Sequence, residues 1–159
     1  MTYNEFLKSK IEIAKDSGFE INPEEINQAL KPHQRDAVVW ALRGGKRALF
    51  ESFGLGKTIQ EIEFCYQATK NKGGKALIVL PLGVKQEFTR DAVEVLGYEA
   101  LVYVRTMKEV EAADGQILLT NYERVRDGDI RPDYFMATAL DEASVLRSFG
   151  SKTYQTFLD

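Results

Sequence analysis

Apolar positions recur at helical spacing three times before the chain changes texture. Tyr3, Phe6, Leu7, Ile11 and Ala14 trace one side of a helix over residues 3–17, and Gly18 is placed to stop it. The polar joint Asn22-Pro23-Glu24-Glu25 starts a second, short helix. Pro32 opens a third, whose buried side carries Ala37, Val38, Ala41 and Leu42 before Gly44-Gly45 ends it. From Arg47 onward, strands and helices alternate. Residues 47–51 read as a short strand, and a helix from about Lys57 sets Ile59, Ile62, Cys65, Tyr66 and Thr69 on one side until Asn71-Lys72-Gly73-Gly74 breaks it. Residues 76–80 (ALIVL) are apolar without interruption, as a strand buried on both faces of a parallel sheet requires. Val84, Phe88, Ala92, Val95 and Leu96 return to helical spacing. Further strands are expected at residues 100–104, 117–120 and 136–140, joined by short helices and the turn Asp127-Gly128-Asp129. Five strands separated by helical patterns predict an α/β fold. The sheet is open and mainly parallel, with helices on both faces, right-handed crossovers and short helices before it.

Composition narrows the function classes without changing that picture. The chain has 159 residues, 44% hydrophobic and 28% charged, which suits one domain with a sizeable core. A net charge of −3 gives no global basic field, so any nucleic-acid contact needs a local patch. The single cysteine, Cys65, excludes an internal disulfide framework and is expected in the core. His33 is the only histidine, so neither a catalytic triad nor a histidine metal cluster can be assembled. The N-terminus lacks an apolar signal core, and the longest apolar run is too short to span a bilayer. A soluble, cytoplasmic protein without a membrane partner is expected. Trp40 stands off the buried stripe of its helix and is expected against the N-terminal helix; Tyr154 and Phe157 are expected to pack a last one.

The segment ALFESFGLGKTIQ carries the strongest chemical signal. It is a strand, a glycine-containing turn and a helix in succession, the context of a phosphate loop. Gly54 and Gly56, flanking Leu55, let backbone N–H groups converge on a polyphosphate at the positive end of the new helix. Lys57 is then placed for the β- and γ-phosphates, and the Thr58 hydroxyl for Mg2+. Glu51 stands where the strict pattern has glycine. Later, Asp141 and Glu142 follow the apolar strand 136–140, at the strand end where open α/β sheets bind ligands. Asp141 suits Mg2+, and Glu142 suits deprotonation of the attacking water. Upstream, Gln34 in LKPHQ has a donor and an acceptor that match adenine N7 and N6, and it equally suits a helix-capping position.

The series LKPHQ, FGLGKTIQ, LIVLPLGVKQEF, ILLTNYERV and LDEAS resembles the first RecA-like domain of superfamily-two helicases. The nearest branch is the Swi/Snf-type DNA translocases, which also carry an acid at the position of Glu51. The resemblance covers residues 30–159, leaving 1–29 as an N-terminal helical extension. It implies ATP and Mg2+ as cofactors, adenine selection by Gln34, phosphate and metal binding by Lys57 and Thr58, and hydrolysis by Asp141 and Glu142. It also implies a nucleic-acid partner, double-stranded DNA by the branch, along Pro81 and the segment Thr120-Asn121-Tyr122. On physical grounds alone Lys85 and Arg90 read as solvated helix charges as readily as phosphate contacts. Ser144 departs from the histidine or aspartate usual after the acidic pair, and the second RecA-like domain that the resemblance implies, with its arginine finger, is expected to lie outside these 159 residues. The expectation is an ATP hydrolase with little activity from this chain alone. The alternatives are a nucleotide-binding regulatory module without turnover and an α/β interaction domain with a vestigial loop.

Overall fold

The apolar stretch ALIVL forms the middle of the architecture. A computed structural model describes residues 18–44, 47–50 and 57–141. Within them lie five strands: β1 (Arg47–Phe50), β2 (Ala76–Leu80), β3 (Val102–Tyr103), β4 (Ile117–Asn121) and β5 (Ala137–Asp141). They form one sheet in the order β1-β5-β2-β4-β3, and every pairing is parallel. β2 therefore has a strand on each side, and all five of its residues are buried. The two-residue period of a strand still sorts them. Ala76, Ile78 and Leu80 enter one apolar cluster, while Leu77 and Val79 enter a second one.

Each cluster is closed by its own helices. The first takes in α1 (Pro32–Gly44), α2 (Lys57–Lys72) and the start of α3 (Lys85–Arg90), through Val38, Leu42, Ile62, Phe64, Cys65 and Phe88. The second takes in α4 (Met107–Ala112) and α5 (Tyr122–Arg126) through Val110, Tyr122 and Val125. This is the expected open α/β sheet with helices on both faces. Ile21, Ile26 and Leu30 join the first cluster, so the segment before α1 packs into the same core.

Local chemistry sets many of the boundaries. Asn22 caps the 3-10 turn Pro23–Glu25 by accepting from the Glu24 N–H. Thr106 and Asn121 cap α4 and α5 the same way, accepting from the N–H groups of Glu109 and Arg124. α2 stops where Gly73 and Gly74 take φ of +77° and +81°, backbone that favours glycine. Gly18 is required for a different reason. The Phe19 N–H donates to the Leu42 carbonyl at 3.1 Å. A Cβ on Gly18 would lie 2.2 Å from the Arg43 carbonyl oxygen.

Three expectations change. β3 is two residues long instead of five, because it is an edge strand held by β4 alone, with Val102 38% exposed. α3 runs into a π turn over Asp91–Val95, in which the Leu96 N–H reaches back five residues to the Asp91 carbonyl. The wider turn carries the buried side from Phe88 to Ala92 to Leu96, and Val95, expected inside, is 46% exposed. Trp40 is 62% exposed on α1. The expected helix over residues 3–17, Tyr154 and Phe157 lie outside the described residues, as do Glu51, Gly54, Leu55, Gly56, Glu142 and Ser144. No helix among the described residues is long and apolar enough to cross a membrane.

Candidate nucleotide and nucleic-acid site

β1 and β5 pair in parallel, which brings their last residues together. Phe50, the last residue of β1, lies opposite Asp141, the last residue of β5. Phe50 and Asp141 therefore lie side by side on the carboxyl edge of the sheet. α2 begins at Lys57 and packs back over β5 and β2, so Lys57 and Thr58 sit at the N-terminal end of a 16-residue helix on that edge. Both are half-buried, and the Asp141 side chain is buried. A lysine and a hydroxyl at a helix N-terminus, with a carboxylate at a strand end, are donors and oxygen ligands of the kind that suits a polyphosphate with a hard cation. Mg2+ takes few protein ligands when phosphates supply the rest. Among the described residues no group of three or more His, Cys, Asp and Glu side chains could hold a metal ion by itself.

α2 is buried around almost its whole circumference, since the sheet lies on one side and α1 and α3 on others. Cys65 is core, as expected. Burial, then the charge of Glu61, pushes its thiol well above the ordinary range. The same helix buries two acids, Glu61 and Glu63, at 0% exposure. Sequence reading passed over both, although charges one and two turns into a helix otherwise rich in apolar residues were the available signal.

Gln34 is the third residue of α1, buried, with its Oε1 accepting from the Lys31 N–H at 2.7 Å. Because a backbone N–H needs an acceptor, this bond fixes which way the amide points. This contact is the helix-capping alternative that the sequence offered for Gln34. In this arrangement its acceptor is taken, and the NH2 group remains for a ligand.

At the far end of the carboxyl edge, the segment Thr120-Asn121-Tyr122 departs from expectation. Its side chains turn inward: Thr120 donates to the Val104 carbonyl, Asn121 caps α5, and Tyr122 is fully buried and donates to the Asp141 carbonyl. Each polar group meets a backbone partner that would otherwise be stranded at the end of a strand. What this edge offers to solvent is different. Pro81 is half-exposed and Leu82 56% exposed. The Lys85 ammonium sits 4.6 Å from the centre of the Tyr103 ring. Arg124 pairs with Asp129 at 3.2 Å and lies close enough to interact with the Tyr103 phenol. Lys85, Gln86, Thr89, Arg90 and Tyr103 line an open groove of about 500 Å3 between α3 and β3.

No family profile matches the chain, and no curated protein does. Solved structures do. The Sulfolobus solfataricus SWI2/SNF2 ATPase core, solved in complex with dsDNA, superimposes with a TM-score of 0.63 at 20% identity over 87% of this chain. The UvsW helicase from bacteriophage T4 does so with a TM-score of 0.56 at 14% identity over 99% of it. The chain therefore shares its fold with a domain of each of these two proteins. The chain spans 31% of the length of the first of these proteins and 66% of the second. In this fold Asp141 ends β5 toward one side of the carboxyl edge, and the Lys85–Tyr103–Arg124 group lies toward the other, by β3 and β4.

Proposed function

We propose that the chain is the ATP-binding domain of a nucleic-acid-dependent ATPase of the Swi/Snf-like helicase and translocase group. The observation that supports the reading is the register of Phe50, at the end of β1, with Asp141, at the end of β5. In this reading the backbone of Gly54, Leu55 and Gly56 wraps the phosphates and Lys57 neutralises the β- and γ-phosphates. Thr58 and Asp141 hold Mg2+, which when bound offsets charge on the phosphate oxygens. Glu142 takes the proton of the attacking water. Gln34 meets the base with its free NH2, which suits N7. Residues 30–159 are the RecA-like unit and 1–29 its extension, and a second RecA-like domain supplies the arginine that completes hydrolysis.

The nucleic-acid partner, double-stranded DNA, is assigned to the far end of the same edge. Pro81, Lys85, Arg90 and Arg124 face its phosphates there, beside Tyr103. Thr120, Asn121 and Tyr122 shape that end of the sheet from within instead of touching the strand. Support comes from the likeness to a core solved with dsDNA and from the cations this edge exposes.

Calorimetric titration of Mg-ATP into the wild type and Lys57→Ala tests the nucleotide assignment. Saturable heat that the variant loses is expected. Equal heats for the two proteins would remove the phosphate-loop assignment.

A further inference from the structure

A carboxylate buried without need is a destabilising feature, and Glu63 is one that the reading above does not use. It lies on α2 and is 0% exposed. Three neutral donors satisfy it: the backbone N–H of Asn27 at 3.0 Å, Nε2 of Gln67 at 2.8 Å and the Tyr98 hydroxyl at 2.5 Å. Only Gln67 belongs to the same helix. Asn27 is 36 residues away in sequence and Tyr98 is 35. Burial and then the bond to Glu63 hold the Tyr98 phenol above its ordinary range, so it stays a donor.

From Asn27 the bonding continues in one direction. The Ala29 N–H donates to the Asn27 side chain at 2.9 Å, and the Leu30 N–H to the Asn27 carbonyl at 3.1 Å. Leu30 is buried in the core. The next residue, Lys31, gives its N–H to Gln34 at 2.7 Å. Gln67 adds a second tie, donating to the Glu25 carbonyl at 3.0 Å, and Asn27 Nδ2 donates to the Leu96 carbonyl at 2.8 Å. A continuous set of bonds and buried contacts thus runs from the middle of α2 to the amide of Gln34.

We propose that Glu63 is a positioning residue of the nucleotide site, fixing the segment Glu25–Gln34, and with it the base-side amide, relative to the helix whose first residues hold the phosphates. The inference rests on the nucleotide reading above. Its physical content is geometric. ATP is a ligand of limited flexibility whose base and phosphates must both be met, so its affinity depends on how the two contacts are spaced. Tripolyphosphate has the phosphates alone and is indifferent to that spacing.

Mg-ATP and Mg-tripolyphosphate are titrated calorimetrically into the wild type, Glu63→Ala, Glu63→Gln, Tyr98→Phe and Lys57→Ala. Glu63→Ala should weaken ATP by about threefold to tenfold, the worth of one hydrogen bond, and leave tripolyphosphate unchanged. Glu63→Gln should restore ATP affinity, since the amide oxygen accepts from Asn27 and Gln67 while its NH2 donates to the Tyr98 oxygen. Tyr98→Phe, which removes one oxygen and should fold even where Glu63→Ala does not, should weaken ATP alone by a smaller factor. Equal loss of both ligands, or no loss of either, in Glu63→Ala or Tyr98→Phe overturns the positioning role. Lys57→Ala separates the two claims: if it binds both ligands like the wild type, the nucleotide reading fails, and the positioning role falls with it.

Discussion

Replacing Tyr122 with Phe tests whether this tyrosine holds the sheet together or touches nucleic acid. Tyr122 is among the largest fully buried side chains, and its hydroxyl donates to the backbone carbonyl of Asp141 across the ends of β4 and β5. Phe keeps the ring in the cluster with Leu77, Val79 and Leu140 and removes only the hydroxyl. The net worth of such a bond is about 0.5–1.5 kcal/mol, and a buried carbonyl left short of a partner raises the cost, so about 1–2 kcal/mol is expected. With a urea slope of about 2 kcal/mol/M, the unfolding midpoint should fall by roughly 0.5–1 M. In thermal unfolding, a domain of this size shifts by about 2–4 °C per kcal/mol. Affinity for double-stranded DNA, followed by fluorescence anisotropy of a labelled duplex, should stay within about twofold of the wild type, because no polar atom at the surface has been lost. An unchanged urea midpoint together with a severalfold loss of DNA affinity would refute the reasoning and return Tyr122 to the nucleic-acid surface.

Gly18→Ala should destabilise by about 1–3 kcal/mol, because its Cβ would be forced against the end of α1, whereas Gly44→Ala, with open space around it, should be close to neutral; paired thermal melts check both. The Cys65 thiol, pushed up by burial and by Glu61, should resist a neutral-pH maleimide in the folded protein and label fully in urea; stoichiometric labelling of folded protein would place it at the surface. Lys85→Ala should weaken duplex DNA binding and lower the slope of log affinity against log salt by about one, while Lys57→Ala leaves that slope unchanged.

The middle of the sheet was readable because its signal is local. An apolar run such as Ala76–Leu80 has nowhere to go except between two layers, and the break at Gly73-Gly74 needs only backbone conformation. Residues whose fate depends on a distant partner were harder. The spacing of Val95 matched a regular helix, and only the π turn, which follows from packing Ala92 and Leu96 together, turned it outward. Thr120, Asn121 and Tyr122 look like surface polar residues in a list of letters, yet each finds a backbone partner at the strand ends. The order of the strand ending at Phe50 before the one ending at Asp141 was visible in the sequence, but their adjacency was not, since it depends on β5 inserting between β1 and β2. Glu63 escaped because its three donors come from segments far apart in the chain.

In the proposed site Lys57, at the start of α2, and Asp141, at the end of β5, serve one Mg-ATP. A double-mutant cycle measured by calorimetry, with and without Mg2+, tests it most directly. Asp141→Asn should weaken ATP severalfold in the presence of Mg2+ and leave metal-free ATP unaffected, since Asp141 acts through the cation. Lys57→Ala should weaken both forms, and the two substitutions together should cost less than the sum of each alone in Mg2+. If Asp141→Asn leaves Mg-ATP affinity unchanged while Lys57→Ala abolishes it, the two motifs do not form one site.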